Sequence, residues 1–158
     1  MEIVVDDLRG PDVAAFLQAH LDQMHELSPP ESVHALDLAA LRAPEVTFWS
    51  VRDAGVLVGC GALKDLGEGH GEVKSMRTDP TRRGQGIAGR LLAHILAEAR
   101  ARRYVRLSLE TGSDEFFAPA RRLYERHGFV PCAPFADYVD DPLSAYFTLD
   151  LTREPAPA

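Results

Sequence analysis

Cysteine is scarce in this sequence, and long apolar runs are missing. Two cysteines, Cys60 and Cys132, stand among 158 residues, so the chain offers neither a disulfide framework nor a close set of thiol metal ligands. No apolar stretch approaches the ~18 residues of a membrane-spanning helix. The first ten residues, MEIVVDDLRG, have no basic start followed by a long apolar stretch. The sequence therefore predicts no metal, no membrane partner, no secretory signal and a cytoplasmic location.

Positive charge is also in short supply, and it is unevenly placed. The chain has 17 basic and 24 acidic residues, a formal net charge of −7. Residues 77–106 nevertheless contain eight arginines and two acidic residues. An acidic chain with one basic segment is a poor general nucleic-acid binder, because phosphate neutralisation needs a wide basic face. The segment suits a small polyanionic ligand, and a solvated helix face is the alternative.

The spacing of apolar residues predicts one domain of mixed α/β (α+β) class over residues 1–151, with helices on a central sheet. Hydrophobic residues make up 46% of the chain, which is typical of a soluble globular protein. Helical spacing occupies 11–27, 36–41, 82–103 and 119–127, and strand-like runs occupy 46–51, 56–63, 72–78, 105–109, 129–132 and 146–151. Residues 152–158, rich in proline and alanine, are predicted to be a flexible tail.

The segment from 78 to 89 joins a predicted strand to a predicted helix and carries three glycines. A helix N-terminus presents unpaired N–H groups, and glycine lets the backbone approach an anion closely. The segment therefore predicts a pyrophosphate site with added arginine charge, formed by Arg82, Arg83, Gly84, Gln85, Gly86, Ile87, Ala88 and Gly89. A glycine-rich connection with two surface arginines is the alternative. The dinucleotide fingerprint is met formally but is the weaker interpretation, because arginines lead the turn.

Two motifs resemble signatures of the GNAT superfamily of N-acetyltransferases. The run from Arg83 to Ala88 resembles the CoA-binding motif Arg/Gln-x-x-Gly-x-Gly/Ala, and Ala120-x-x-Leu123-Tyr124-x-x-x-Gly128-Phe129 resembles the second signature. The resemblance covers about residues 46–151, the CoA-binding core, and it leaves 1–45 as the variable acceptor-side helices. It implies a single GNAT-like domain with a mostly antiparallel sheet and helices on both faces. Phe117 stands where many members have asparagine.

The resemblance implies acetyl-CoA as co-substrate. Pantetheine would lie beside the strand at 72–78, bonded by main-chain groups of Met76, Arg77 and Thr78, in the manner of an added strand. Thr111 is a candidate to replace the hydrogen bonds of the missing asparagine. The glycine turn would hold the pyrophosphate, and Arg82 or Arg83 would reach the 3′-phosphate.

The reaction would be the attack of a neutral amine on the acetyl thioester. Glu72 is the first candidate for general base, with Glu110, His70, His25 or a water in reserve, and a strand-end ion pair with Lys74 is the alternative role. Strict alternation along the strand places Glu72, Lys74, Met76 and Thr78 on one side and Arg77 on the other. Tyr124 is the candidate general acid toward the departing thiolate, with core packing as its alternative. The main-chain N–H of Met76 would meet the oxyanion.

The acceptor is predicted to be a primary amine of a small molecule or an amino-acid-like compound. The first helices and residues 134–144 would wall its pocket with polar groups from His25, Glu26, Ser28, His34, Asp137 and Tyr138. An acidic rim would favour a polyamine or aminoglycoside, whereas an arginine would favour the carboxylate of an amino acid. Alternative functions are a non-catalytic CoA sensor, a protein or peptide acetyltransferase, and transfer of another acyl group or to oxygen. A homodimer is possible.

Overall fold

Seven strands and four helices form the fold of the computed structural model, which describes residues 1–27 and 38–152. The strands are β1 Glu2–Val5, β2 Val46–Asp53, β3 Val56–Gly67, β4 His70–Thr78, β5 Arg106–Gly112, β6 Val130–Pro131 and β7 Ser144–Asp150. The helices are α1 Pro11–Leu27, α2 Leu38–Leu41, α3 Ile87–Ala101 and α4 Ala118–Arg126. No helix in these described ranges is long and apolar enough to cross a membrane.

The sheet has the order β1-β2-β3-β4-β5-β7-β6, and its neighbours are antiparallel except for the pair β4–β5. Two apolar clusters cover its two faces. One cluster joins α3 and α4 to the sheet through residues such as Leu92, Ile95 and Tyr124. The other joins α1 and α2 to the opposite face through Val13 and Leu41. The predicted class, a mostly antiparallel sheet with helices on both faces, is confirmed.

Among the elements, α3 begins later than predicted, and the strand β1 was not predicted. The third helix begins at Ile87 rather than at residue 82, because Gly84 and Gly86 have left-handed φ angles of 80° and 77° that end any helix before them. The strand β1 was missed because it is short and lies at the sheet edge, where half-exposed valines give no clear alternation. Of the helix predicted at 36–41, residues 36 and 37 lie outside the described ranges.

A β-bulge interrupts β4 at Ser75. Across the β3–β4 ladder, Ala62 faces Lys74 and Cys60 faces Arg77, so three residue steps on β4 oppose two on β3. Ser75 has a φ of 56°, a left-handed conformation that is uncommon for a residue other than glycine. The extra residue shifts the phase of side-chain alternation by one.

The bulge therefore changes which side chains share a face of β4. Glu72 and Lys74 lie on the α1 face, whereas Met76 packs into the cluster beneath α3. Arg77 contacts α1. The predicted alternation, which grouped Met76 with Glu72 and set Arg77 apart, is wrong because it assumed an uninterrupted strand.

Candidate active site

A cleft opens where β4 and β5 separate. The two parallel strands are paired over three residues, from His70 opposite Arg106 to Glu72 opposite Ser108, and beyond that point they diverge. The cleft is lined by His20, Glu72, Val73, Lys74, Ser75, Met76, Glu110, Thr111, Gly112, Phe117, Ala120, Tyr124 and Tyr138. The lining comes from both faces of the sheet, so the cleft links the α1 side to the α3–α4 side.

Three polar side chains form a triangle at the closed end of the cleft. The Lys74 ammonium lies 2.9 Å from Oε2 of Glu72 and 3.0 Å from the Tyr138 hydroxyl. The Tyr138 hydroxyl donates to the same Glu72 oxygen at 2.6 Å. The side chains of Glu72 and Lys74 are only 3% and 8% exposed, so each depends on the other for charge compensation. Burial, followed by the charge of Glu72, raises the pKa of Tyr138, which keeps its proton.

The two carboxylate oxygens of Glu72 differ in their hydrogen bonds. Both hydrogen bonds that Glu72 accepts from the described residues end on Oε2. Within residues 1–27 and 38–152, Oε1 therefore has no donor. The sequence left a base and an ion-paired strand-end acid as alternatives. The structure shows the ion pair with Lys74, on Oε2, and the role of Glu72 as a base stays a prediction.

Tyr124 reaches the cleft from α4. Its ring packs edge-on against Phe129 at 5.8 Å, and only 6% of the residue is exposed. Burial, and secondarily the charge of Glu110, raises the pKa of Tyr124. The phenol therefore stays protonated at neutral pH and is suited to donate a hydrogen bond.

A buried thiol on β3 forms a hydrogen bond with the bulge in β4. Cys60 donates from Sγ to the Ser75 carbonyl oxygen at 3.3 Å. Burial raises the pKa of Cys60 to about 12, so the thiol is a protonated donor and not a nucleophile. Ser75, the residue with the strained backbone, lines the cleft, and such strain often marks a functional site.

Arg77 extends from the far side of the bulge toward α1. Its Nη1 lies 3.1 Å from Nδ1 of His20 and donates to Oε1 of Gln23 at 2.8 Å, and the guanidinium lies 5.5 Å from the ring centre of Phe16. Burial, followed by the charge of Arg77, lowers the pKa of His20 to about 4. His20 is therefore neutral at pH 7 beside a charged arginine.

Acidification is expected to destabilise the fold through His20. In the unfolded chain His20 has its ordinary pKa of 6.5, whereas in the folded protein its pKa is about 4. Between these two pH values His20 is therefore protonated in the unfolded state and neutral in the folded state. Stability from this group is thus complete above pH 6.5 and is lost as the pH falls toward 4. Between pH 7 and pH 4 we expect wild type to lose about 2 kcal/mol more than His20→Gln in urea unfolding followed by circular dichroism. Equal losses in the two proteins would contradict this role.

The glycine turn lies at the start of α3, beyond the cleft lining. Asp79 accepts from the Thr81 N–H at 2.9 Å and begins the short 3-10 turn Pro80–Arg82. The first intrahelical hydrogen bond of α3 runs from Arg90 to Gly86 at 3.0 Å, so the N–H groups of the first turn precede the ladder. Left-handed glycines ahead of these N–H groups form a concave backbone surface suited to an anion.

The two arginines of this turn have different surroundings. Arg82 is held by an ion pair with Asp53 and donates to Gln85 at 2.9 Å. Arg83 is exposed, with its guanidinium 5.8 Å from the ring centre of Phe116. Of the two, Arg83 is the one with a side chain available for a phosphate.

Phe117 occupies the end of the cleft beside β5. Its ring packs on Gly112 so closely that a Cβ at that position would lie 2.0 Å from a ring carbon. Arg121 ties this end of the cleft together by donating to the carbonyl oxygens of Gly112 at 2.7 Å and of Asp114 at 2.8 Å. Phe117 and Thr111 both line the cleft.

The structure brings together Glu72, Met76, Thr111 and Tyr124 of the predicted site residues as cleft lining. Thr78 pairs with Gly59 in the sheet, and residues 82–89 form the turn before α3 and its first residues. Among the reserve bases, Glu110 lines the cleft, whereas His70 is bonded to Ser108 at 2.7 Å through Nε2.

The acceptor side was predicted less completely. Tyr138 lines the cleft as expected, whereas Glu26 and Asp137 are exposed. Ser28, His34 and the side chain of His25 lie outside the described residues. The sequence analysis missed His20 and Gln23, although their spacing of three on α1 could have indicated a shared helix face.

Comparisons with known proteins agree on one family. A family model described as "Acetyltransferase (GNAT) family" matches residues 13–129. The chain is similar to the uncharacterised N-acetyltransferase YsnE of Bacillus subtilis, with 53% identity over 96% of this chain and 100% of the relative. It is also similar to an IAA acetyltransferase of Azospirillum brasilense, with 43% identity over 85% of this chain and 88% of the relative. A solved Klebsiella pneumoniae structure assigned as an acyl-CoA N-acyltransferase has a TM-score of 0.77 and 34% identity, covering 95% of this chain and 97% of the other.

Proposed function

Since this chain belongs to the acetyltransferase (GNAT) family, we propose that it transfers the acetyl group of acetyl-CoA to the primary amine of a small molecule or amino-acid-like acceptor. The observation that carries the proposal is the separation of β4 from β5. It leaves β4 from Val73 to Thr78 unpaired on its β5 side, where its main chain borders the cleft. The relative named as an IAA acetyltransferase supports a small acceptor.

Acetyl-CoA fits the residues that stand around this cleft. Main-chain groups of Met76, Arg77 and Thr78 are available to bond pantetheine as an added strand would. The N–H groups from Gly84 to Gly89 offer a site for the pyrophosphate. Arg83 is our candidate for the 3′-phosphate, because Arg82 is already paired with Asp53.

The transfer is proposed to be direct. Oε1 of Glu72 accepts a proton from the acceptor ammonium, either by contact or through a water, and the neutral nitrogen attacks the thioester carbonyl carbon. The new C–N bond forms and the C–S bond breaks, while the main-chain N–H of Met76 stabilises the oxyanion. The Tyr124 hydroxyl donates a hydrogen bond to the departing sulfur, and the sulfur takes up the second proton that the attacking nitrogen loses as the amide forms, so that CoA leaves as the thiol.

Calorimetric titration with acetyl-CoA tests the cofactor assignment first, with 3′-dephospho-CoA as the matched control. We expect micromolar binding that weakens without the 3′-phosphate, followed by release of free thiol when amines are supplied. Absence of binding would show that the glycine turn is structural only. Binding without thiol release across a broad amine panel would favour the CoA-sensor alternative.

Replacing Glu72 with glutamine tests the base. A lysine-like amine has a pKa near 10.4, so about one molecule in a thousand is neutral near pH 7.4, and proton removal there needs help. We expect kcat of Glu72→Gln to fall about 100-fold at pH 7 and much less at pH 10, where the amine deprotonates unaided. The measurement is the pH–rate profile, and the control is Glu98→Gln, at a half-buried position on α3 that is paired with Arg102. A parallel loss at all pH values would remove Glu72 as the base.

A further inference from the structure

Arg77 is a charged side chain next to the cleft, in contact with the lining residue His20, and its charge forms no ion pair with the described residues. The bulge at Ser75 turns it toward α1, and its neighbour His20 is part of the cleft lining. Its contacts are the ring of Phe16, the amide of Gln23 and the imidazole of His20, all of them uncharged at pH 7.

Arg77 differs from Lys74 and Arg82, the nearby cations that form ion pairs. Lys74 is compensated by Glu72 at 2.9 Å, and Arg82 by Asp53. Within residues 1–27 and 38–152, no carboxylate lies within 4 Å of the Arg77 guanidinium. Asp79 acts on it electrostatically without forming a pair. A half-buried guanidinium surrounded by neutral groups is costly to maintain unless an anion binds to it.

The hydrogen-bonding pattern of Arg77 leaves one edge of the guanidinium unused. Both of its hydrogen bonds to described residues involve Nη1. Nε is buried and has no hydrogen-bond partner in the described part of the chain. Nη2 takes part in neither of these hydrogen bonds and is not closed to solvent as Nε is, so it is the donor that a carboxylate oxygen can reach.

From this placement we propose that Arg77 binds a carboxylate of the acceptor, and that the preferred acceptors are amino acids or related amines that carry a carboxylate. The inference rests on the proposed function, because it names the substrate class of the same site. Phe16 and Gln23 position the guanidinium, and His20 joins it to the cleft. Polyamines and aminoglycosides, which have no carboxylate, lack the group that this arginine binds.

The test compares matched acceptors that differ by one carboxylate. Thiol release from acetyl-CoA is measured with a pool of amino acids and with a pool of the amines formed from them by decarboxylation. We expect kcat/KM at least tenfold higher for the amino acids. In Arg77→Gln, we expect KM for the amino acid to rise 10- to 100-fold while the rate with the matched amine changes less than threefold. Arg102→Gln, at the exposed position that follows α3, is the control.

Several outcomes would overturn the inference, and they are distinguishable from failure of the proposed function. Higher activity on the amine pool, or equal losses on both pools in Arg77→Gln, would show that Arg77 has a structural role. Weaker acetyl-CoA binding by Arg77→Gln in calorimetry would assign the arginine to the cofactor instead. Acetyl-CoA binding without acetylation of either pool would also reject the carboxylate inference, whereas loss of acetyl-CoA binding by wild type would reject the proposed function itself.

Discussion

Replacing Lys74 with methionine is expected to lower the free energy of unfolding by about 3 kcal/mol. The methionine keeps most of the side-chain volume but removes the ammonium that compensates Glu72 at 2.9 Å. Glu72, which is 3% exposed, would then hold a buried charge with Tyr138 as its remaining described donor. Urea unfolding at pH 7, followed by circular dichroism, measures the loss.

A double-mutant cycle separates the lost charge from lost packing. In Glu72→Gln with Lys74→Met, both charges are absent and no buried carboxylate is left without compensation, so most of the stability should return. Additive losses from the two substitutions would contradict a coupled pair. Lys64→Met, at a half-buried position on β3 that faces Glu72 across the ladder, is the matched lysine control.

Replacing Tyr124 with phenylalanine is expected to reduce kcat about 100-fold and leave the Kd for acetyl-CoA nearly unchanged. The hydroxyl is the only group removed, and the edge-on packing against Phe129 remains. Because burial keeps the phenol protonated, its contribution is a hydrogen bond to negative charge on the departing sulfur, which exists only as the C–S bond breaks. Steady-state thiol release and calorimetry provide the two measurements.

Tyr146→Phe is a closely matched control for this substitution. Tyr146 is also 6% exposed, but its hydroxyl donates to the Val139 carbonyl oxygen at 2.9 Å and the residue is not part of the cleft lining. The control should lose some stability and retain turnover. Unchanged turnover in Tyr124→Phe would assign Tyr124 to the core alone, which is the alternative that its position beside Leu123 already suggested.

The local features of this protein were accessible without the structure. Apolar spacing identified α1 and α3, and the glycines at 84 and 86 marked the backbone turn before α3 because their φ angles suit few other residues. The second signature placed Tyr124 on a helix near the cleft. Each of these features is encoded by residues a few positions apart in the chain, so it can be predicted from the local sequence.

The arrangement of the candidate site depended on contacts between distant residues. The bulge at Ser75 is defined by the register of β4 against β3, and it alone decides that Arg77 faces α1 rather than the α3 side. Tyr138 reaches Glu72 across 66 positions of the chain, and His20 reaches Arg77 across 57. The alternation of side chains along β4 does not reveal an extra residue in β4, because the bulge is defined only by how β4 pairs with β3. The sequence by itself therefore determined most of the helices and strands, the glycine turn before α3 and the family resemblance. Tertiary structure decided which polar side chains share the cleft, because strand register and long-range packing set their directions.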